Sequence, residues 1–171
     1  MRSVVFVAGL GLVAAPAWAD GLTVEFELPK MSVAEYHRPY VAIWISRPDN
    51  TAAATLSVLY SQKGGPEGEG ETWLKDIRQW WRRAGRSMTM PADGVSGPTK
   101  PPGDHKLVYE GAGDPLKALP PGDYVLNIEA AREVGGREVV SVPFKWDGAS
   151  GGVFEGKGES ELGSVKVTLS P

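Results

Sequence analysis

The chain has 171 residues, of which 42% are hydrophobic, and its formal net charge is −3. A chain of this length can bury a sizeable core in one domain, and its mildly acidic balance provides no basic field for nucleic acid. Cysteine is absent, which excludes iron–sulfur clusters with cysteine ligands, covalently attached c-type haem and thiol redox chemistry. Any redox role therefore requires a cofactor that is held in another way.

The N-terminal segment has the pattern of a secretory signal peptide. Arg2 precedes an apolar run from Val4 to Ala15, and Ala17-Trp18-Ala19 supplies the small residues of a cleavage site. The run is too short to span a bilayer stably, although an uncleaved membrane anchor is the alternative. We predict a signal peptide over residues 1–19, a periplasmic location, one mature domain over residues 20–171 and no remaining membrane span. Because Arg2 is the only charged residue removed, the formal net charge becomes −4.

After the signal peptide, the hydrophobic pattern is mostly that of β-strands. Apolar and polar residues alternate in Leu22–Pro29, as in a strand with one buried face, whereas Arg38–Ser46 is apolar on both faces, as in a central strand. Turn signals separate the later strands, and Gly135-Gly136 is typical of a hairpin tip. The series predicts an all-β fold, an antiparallel immunoglobulin-like β-sandwich. The later predicted strands cover residues 55–61, 105–110, 123–131, 137–146 and 163–170.

The segment Thr72–Gly85 has helical rather than strand periodicity. At 100° per residue, its apolar side chains fall on one side and its basic side chains on the other. We predict one amphipathic α-helix over about residues 72–84, capped by Thr72, ended by Gly85 and packed on a sheet. The clean partition favours core packing of its three Trp residues, with ligand stacking by one of them as the alternative. The apolar residues are Trp73, Leu74, Ile77, Trp80, Trp81 and Ala84.

Candidate metal ligands are few. Met88 and Met90 place two thioethers on one side of a predicted strand, and soft ligands beside His37 or His105 can hold Cu(I) in an exported protein. The alternative is that both methionines point into the core. Neither a carboxylate pair nor a nucleophilic triad is evident, so the sequence does not predict a self-contained enzyme.

The segment after the helix contains Asp93-Gly94-Val95-Ser96-Gly97-Pro98-Thr99. It resembles the recognition motif of proteins to which a flavin transferase attaches FMN, through a phosphoester to the hydroxyl of the last Thr or Ser. Each specified position matches except one, because Pro98 stands where those proteins have Ala. Proline fixes its own φ and restricts the residue before it.

That resemblance assigns roles to five residues of the segment. It implies that Thr99 carries FMN covalently and that Asp93, Ser96 and Gly97 are recognised by the transferase. It also places Lys100 next to the attachment residue, where it can pair with the FMN phosphate.

A second resemblance covers most of the mature chain. Five motifs, in order, are similar to those of a family of predicted periplasmic proteins of unknown function: FELP, YHRPYVAIW, WLKDIRQWWR, DGVSGPT and LPPGDYVLNIEAARE. Members of that family often accompany flavin transferases and PepSY-type membrane proteins, and a His is common where Val134 stands here. The C-terminal half also resembles the immunoglobulin-like repeat of flagellar hook-capping proteins, which implies a fold and not a task.

Together, these resemblances imply a periplasmic electron-transfer module in a redox or iron-reduction pathway. Its FMN would accept electrons from a PepSY-type membrane partner, while the protein holds and presents the cofactor. The alternative is a non-catalytic periplasmic β-sandwich that binds a partner protein or a small ligand and carries no cofactor.

Overall fold

The computed structural model describes residues 21–62, 70–110, 116, 119–147 and 150–170. The predicted signal peptide, residues 1–19, lies outside these ranges, so its cleavage stays a prediction. The described residues form nine β-strands and, between the third and fourth strands, three short helices. The strands are β1 (Gly21–Leu28), β2 (Tyr40–Ser46), β3 (Ala52–Tyr60), β4 (Ser96–Pro98), β5 (Gly103–Glu110), β6 (Gly122–Ala131), β7 (Arg137–Trp146), β8 (Gly152–Lys157) and β9 (Ser164–Ser170).

Two packed sheets form a β-sandwich, which confirms the predicted all-β fold with one α-helix. The four-stranded sheet has the order β5-β1-β9-β8, and the five-stranded sheet has the order β4-β3-β2-β6-β7. Strand β1 alternates strictly between buried and half-buried residues, because successive side chains of a strand point to opposite faces. Its buried residues Leu22, Val24, Phe26 and Leu28 belong to the core between the sheets.

The strand pairing is antiparallel except at one edge of the five-stranded sheet. There, β4 runs parallel to β3, with Ser96 opposite Val58 and Pro98 opposite Tyr60. The expectation of a wholly antiparallel sandwich is wrong at this edge. The connection from Tyr60 to Ser96 contains the helices, and a connection of that length can return the chain to pair in parallel.

The sequence pattern did not predict two of the strands, and one predicted strand is absent. Strands β4 and β8 are short and contain glycine, which weakens the alternating pattern. The segment from Met88 to Met90, expected to be a strand, is irregular. It connects the last helix to the turn before β4.

The predicted helix is divided into three pieces. A 3-10 helix covers Gly70–Asp76, the α-helix α1 covers Arg78–Arg83, and a second 3-10 helix covers Gly85–Ser87. A single α-helix over residues 72–84 is therefore wrong in extent, and Ile77 rather than Thr72 precedes α1. Ile77 leaves the helical region, with ψ at 74°.

A buried carboxylate explains this division. Glu129 on β6 is fully buried and accepts hydrogen bonds from the backbone N–H groups of Gln79 and Trp80, each at 2.9 Å. The first N–H groups of an α-helix have no partner within the helix. Because Glu129 supplies acceptors for them, α1 begins where the chain reaches this side chain.

The helices cover the outer face of the five-stranded sheet and form a second apolar cluster there. Trp44 from β2 and Trp80 from α1 are fully buried in this cluster. Strand β2 is therefore buried on both faces, as its sequence predicted. Gly85 allows the close packing, since a Cβ at that position would lie 2.8 Å from the rings of Trp80 and Trp81.

Candidate functional site

A cleft opens where the helices, the start of β2 and the hairpin between β6 and β7 meet. Its volume is about 460 Å³, which falls in the range of small-molecule sites. The hairpin, residues 131–137, forms one wall. The other lining residues are Arg38, Tyr40, Trp73, Asp76 and Arg78.

A buried ion pair anchors the hairpin wall. Arg132 donates two hydrogen bonds to Glu161, from Nε to Oε2 at 2.9 Å and from Nη2 to Oε1 at 3.0 Å. Both side chains are less than a tenth exposed, and these hydrogen bonds raise the pKa of the Arg132 guanidinium. Gly136 N–H donates a third bond to Glu161 Oε1 at 2.7 Å. A paired, fully hydrogen-bonded charge of this kind holds its segment in one position.

The hairpin predicted from Gly135-Gly136 is present, and Val134 beside these glycines has a left-handed backbone conformation. Val134 takes φ of 50° and is 79% exposed. A β-branched residue rarely adopts this conformation. The tip therefore presents an isolated apolar side chain at the mouth of the cleft.

A second ion pair joins this wall to the helices. Arg137 Nη1 donates to Glu129 Oε1 at 2.9 Å, and Glu129 also accepts from the first turn of α1. One buried carboxylate thus connects α1, β6 and β7. The walls of the cleft are fixed relative to one another before any ligand arrives.

Two arginines of the cleft take no part in the ion pairs that hold its walls. Arg38 and Arg78 are exposed, and neither guanidinium forms an ion pair or a hydrogen bond with a residue in the described ranges. The acids that line the cleft are Asp76 and Glu133. Arg132 and Arg137 are balanced by Glu161 and Glu129. Arg38 and Arg78 are equal in number to Asp76 and Glu133, so the cleft has no net excess of positive charge.

Trp73 lies in this cleft rather than in the core. Its side chain is 38% exposed, whereas Trp80 is fully buried and Trp81 is half-buried. Core packing is thus confirmed for Trp80 and wrong for Trp73. The reason is the break at Ile77, since residues before it do not follow the α-helical periodicity that placed Trp73 on the apolar side. Lys75 Nζ lies 5.5 Å from the centre of the Trp73 ring.

Tyr40 contributes a second aromatic side chain. It lies at the start of β2, next to Tyr60, with ring centres 6.3 Å apart. Burial raises the pKa of the Tyr40 phenol, so it is protonated at neutral pH.

The two histidines occupy different surroundings. His37 lies between two carboxylates, with Nε2 3.0 Å from Glu35 Oε1 and Nδ1 3.4 Å from Glu133 Oε2. His105 belongs to β5 in the other sheet, and its Nε2 is 2.7 Å from the carbonyl oxygen of Pro101. In the part of the chain that the structure describes, no three His, Cys, Asp or Glu side chains are grouped to hold a metal ion.

Met88 and Met90 pack against the cluster between the helices and the sheet. Both are half-buried. This packing favours the alternative interpretation of the two thioethers as core side chains.

The segment from Asp93 to Thr99 is more ordered than a plain connector. Ser96 Oγ accepts a hydrogen bond from the N–H of Ala92 at 2.9 Å and so closes the turn before β4. A Cβ on Gly97 would approach the Leu59 side chain to 3.0 Å, so glycine suits the pairing with β3. Ser96 and Gly97 therefore have structural roles in the edge strand.

Thr99 differs from Ser96 in this respect. It follows β4 directly, it is half-buried, and its hydroxyl makes no hydrogen bond within the described ranges. Asp93 is exposed in the turn before β4, and Lys100 follows Thr99; neither forms an ion pair with a described residue. The motif thus begins in a turn, and its residues Ser96–Pro98 pair along the edge of the sheet.

The end of β4 and the cleft lie at the same end of the five-stranded sheet. Pro98 pairs with Tyr60, Tyr60 lies beside Tyr40, and Tyr40 pairs with Ala131 at the hairpin. Since strands are about 4.8 Å apart, Tyr40 is two spacings, or about 10 Å, from Pro98. Thr99 is therefore a near neighbour of the cleft.

Sequence reasoning missed the residues that build the cleft. Arg38 and Arg78 lie in two of the motifs quoted above, YHRPYVAIW and WLKDIRQWWR, but these motifs do not place them in a common site, and only the fold brings them together. Glu129 had a detectable signal, because it is a carboxylate within the otherwise buried run of β6. Such a residue needs partners when it is buried, but the sequence does not say which partners.

The model of one protein family matches residues 21–164 of the chain, and that family is described as "Predicted periplasmic protein (DUF2271)". Searches of the curated proteins and of the solved structures gave no match. Among the helices within the described ranges, none is both long and apolar enough to cross a membrane. The family match covers most of the chain and confirms the expected kinship with predicted periplasmic proteins. The chain belongs to the DUF2271 family of predicted periplasmic proteins.

Proposed function

We propose that this protein is a periplasmic redox carrier to which a flavin transferase attaches FMN at the Thr99 hydroxyl. The observation that carries the proposal is the contrast between the two hydroxyls of the motif. Ser96 is held by a turn hydrogen bond, whereas Thr99 Oγ1 has no partner in the described ranges and follows an edge strand. An extended segment at a sheet edge can be presented to another enzyme.

The residues of the segment fit the phosphoester linkage. Thr99 Oγ1 bonds to the flavin-bearing phosphorus of a flavin dinucleotide, the phosphoanhydride bond of the dinucleotide breaks, and a nucleoside monophosphate leaves with the bonding electrons. The hydroxyl proton passes to a base of the transferase. Lys100 is adjacent to the linkage and unpaired in the described ranges, so its ammonium group can neutralise the phosphate.

The proposal assigns the redox chemistry to the cofactor and the positioning to the protein. When bound, FMN supplies electron transfer. The chain has no cysteine, so thiol redox chemistry is not available to it. The proposed electron donor is a PepSY-type membrane protein, as the family resemblance implies. We propose that the transferase recognises Asp93 and Ser96. For Ser96, it recognises the backbone and the turn that the side chain closes.

The intact mass of the mature protein tests the proposal. The protein is produced in the periplasm together with a competent flavin transferase, beside the variants Thr99→Ala and Thr99→Ser. The wild type and Thr99→Ser gain the mass of one FMN less one water, because both have the hydroxyl, and Thr99→Ala gains nothing. An unmodified wild type, in cells where a control substrate is modified, contradicts the proposal and favours a binding module without a cofactor.

A further inference from the structure

We infer that the cleft between the helices and the β6–β7 hairpin is the docking site of the flavin ring. The inference rests on the proposed attachment at Thr99 and concerns where the ring lies once attached. The observation behind it is independent of the motif, because it comes from the geometry of Trp73, Arg38 and Arg78 around one cleft.

The cleft offers an aromatic surface for a planar ring. Trp73 is 38% exposed, although the other tryptophans of the helical segment are buried or half-buried. Exposed indole faces stack favourably on planar heteroaromatic groups. Tyr40 lines the same space with its ring, while its protonated phenol is hydrogen-bonded to Ser61. The cleft volume of about 460 Å³ suits a ligand of this size.

Two arginines of the cleft are placed to act on an electron-accepting ring. Arg38 and Arg78 have no ionic partner in the described ranges, while Arg132 and Arg137 are already paired with buried carboxylates. Positive charge beside the ring nitrogens of a flavin stabilises the added electrons and raises the midpoint potential. The two free arginines are the residues placed to exert that effect.

The position of the cleft fits the tether. Thr99 follows Pro98, and Tyr40 at the cleft is about 10 Å from Pro98 across the sheet. Both walls are fixed by ion pairs whose carboxylates, Glu129 and Glu161, are buried. A preformed site of this kind loses little conformational entropy when the ring enters.

The first arm of the test uses the FMN-loaded protein. Indole in contact with the ring quenches flavin fluorescence, so Trp73→Leu raises the fluorescence yield at least twofold. Trp81→Leu is the control, because Trp81 lies on the same helical segment but does not line the cleft. Arg38→Gln and Arg78→Gln lower the midpoint potential, whereas Arg86→Gln, exposed and outside the cleft, leaves it unchanged.

The second arm needs no attachment. Unmodified Thr99→Ala protein is titrated with free FMN and with riboflavin, and binding is followed by flavin fluorescence. Both ligands bind, since the ring is what the cleft recognises. Adding Trp73→Leu raises the Kd roughly two- to tenfold, the loss of a stacking contact of about 0.5–1.5 kcal/mol.

The outcomes separate the two proposals. If the wild type gains no mass but the cleft still binds free riboflavin, the attachment at Thr99 is wrong and the flavin site in the cleft stands. A modified wild type whose fluorescence and potential ignore Trp73, Arg38 and Arg78 keeps the attachment and overturns the docking site. Binding of FMN without binding of riboflavin also overturns it, because the phosphate alone is then recognised.

Discussion

The two sheets share one core but differ on their outer faces. The four-stranded sheet exposes charged residues, and Glu25 pairs with Lys166 across β1 and β9 at 2.6 Å in a solvent-exposed position. The five-stranded sheet is covered by helices, and Glu129 is fully buried between them. A carboxylate paired with a cation therefore has very different importance for stability on the two faces. Solvent screens the first pair, whereas the carboxylate of Glu129 is fully buried and becomes an uncompensated charge when its partner is removed.

The covered face should be the more sensitive one. Trp80→Ala lowers the free energy of unfolding by about 3–5 kcal/mol, because a fully buried indole is replaced by a cavity. Trp73→Ala lowers it by less than about 1 kcal/mol, because Trp73 is partly exposed in the cleft. Denaturant unfolding of the two variants measures both values. Equal losses would contradict the different positions of these residues.

Removal of the Glu129 carboxylate tests the anchor of α1. Glu129→Ala lowers the free energy of unfolding by about 3 kcal/mol, because it leaves Arg137 and two helix N–H groups without their buried partner. Amide hydrogen exchange should then accelerate at Gln79 and Trp80 in particular. Unchanged protection at these two amides would show that Glu129 does not cap the helix.

Glu138 is intermediate between the buried Glu129 and the exposed Glu25, and its contribution to stability depends on pH. Its carboxylate accepts backbone hydrogen bonds from Glu159, Ser160 and Leu162. Burial opposes the charged form, but these bonds prevail and lower the pKa of Glu138 below 4.5. A lowered folded-state pKa gives stability that is present above 4.5 and is lost as the pH falls through the folded value.

Glu138→Gln therefore lowers the free energy of unfolding by about 1–2 kcal/mol at neutral pH. The difference from the wild type shrinks as the pH falls below 4.5. Thermal unfolding of both proteins across this pH range measures the difference. A difference that stays constant down to strong acid would exclude the carboxylate as its cause.

The smallest effect is expected on the open face. Glu25→Gln and Lys166→Met should each leave the Tm within error of the wild type, because the pair is exposed on both sides. A salt titration of the wild type supplies the control, since screening the pair should also change little. A marked loss in either variant would mean that the open face is covered by something in solution.

The sequence predicted part of the difference between the two faces. The alternation in β1 and the apolar run in β2 predicted one open and one covered face, because side-chain period and burial are local properties. The position of Trp73 was not predictable, since it depends on where Glu129, a residue of another strand, ends one helix and starts the next. Local periodicity contains no information on such a long-range cap.

The candidate site divides in the same way. The segment around Thr99 was predicted as a candidate from its motif, and the edge strand β4 within it was not predicted, because three residues with glycine and proline give no strand pattern. The cleft was not identified, because Arg38, Trp73 and Arg78 come from separate elements. Their meeting is a consequence of sheet order, which the sequence pattern does not specify.

Peptide mapping of the protein, produced together with a competent flavin transferase, tests the proposed attachment of FMN at Thr99. The proteolytic fragment that ends at Lys106 contains both Ser96 and Thr99, and its fragment ions distinguish the two hydroxyls. We expect FMN on Thr99 alone, because Ser96 Oγ is held in the turn before β4. FMN on Ser96, or an unmodified fragment while a control substrate is modified, would contradict it.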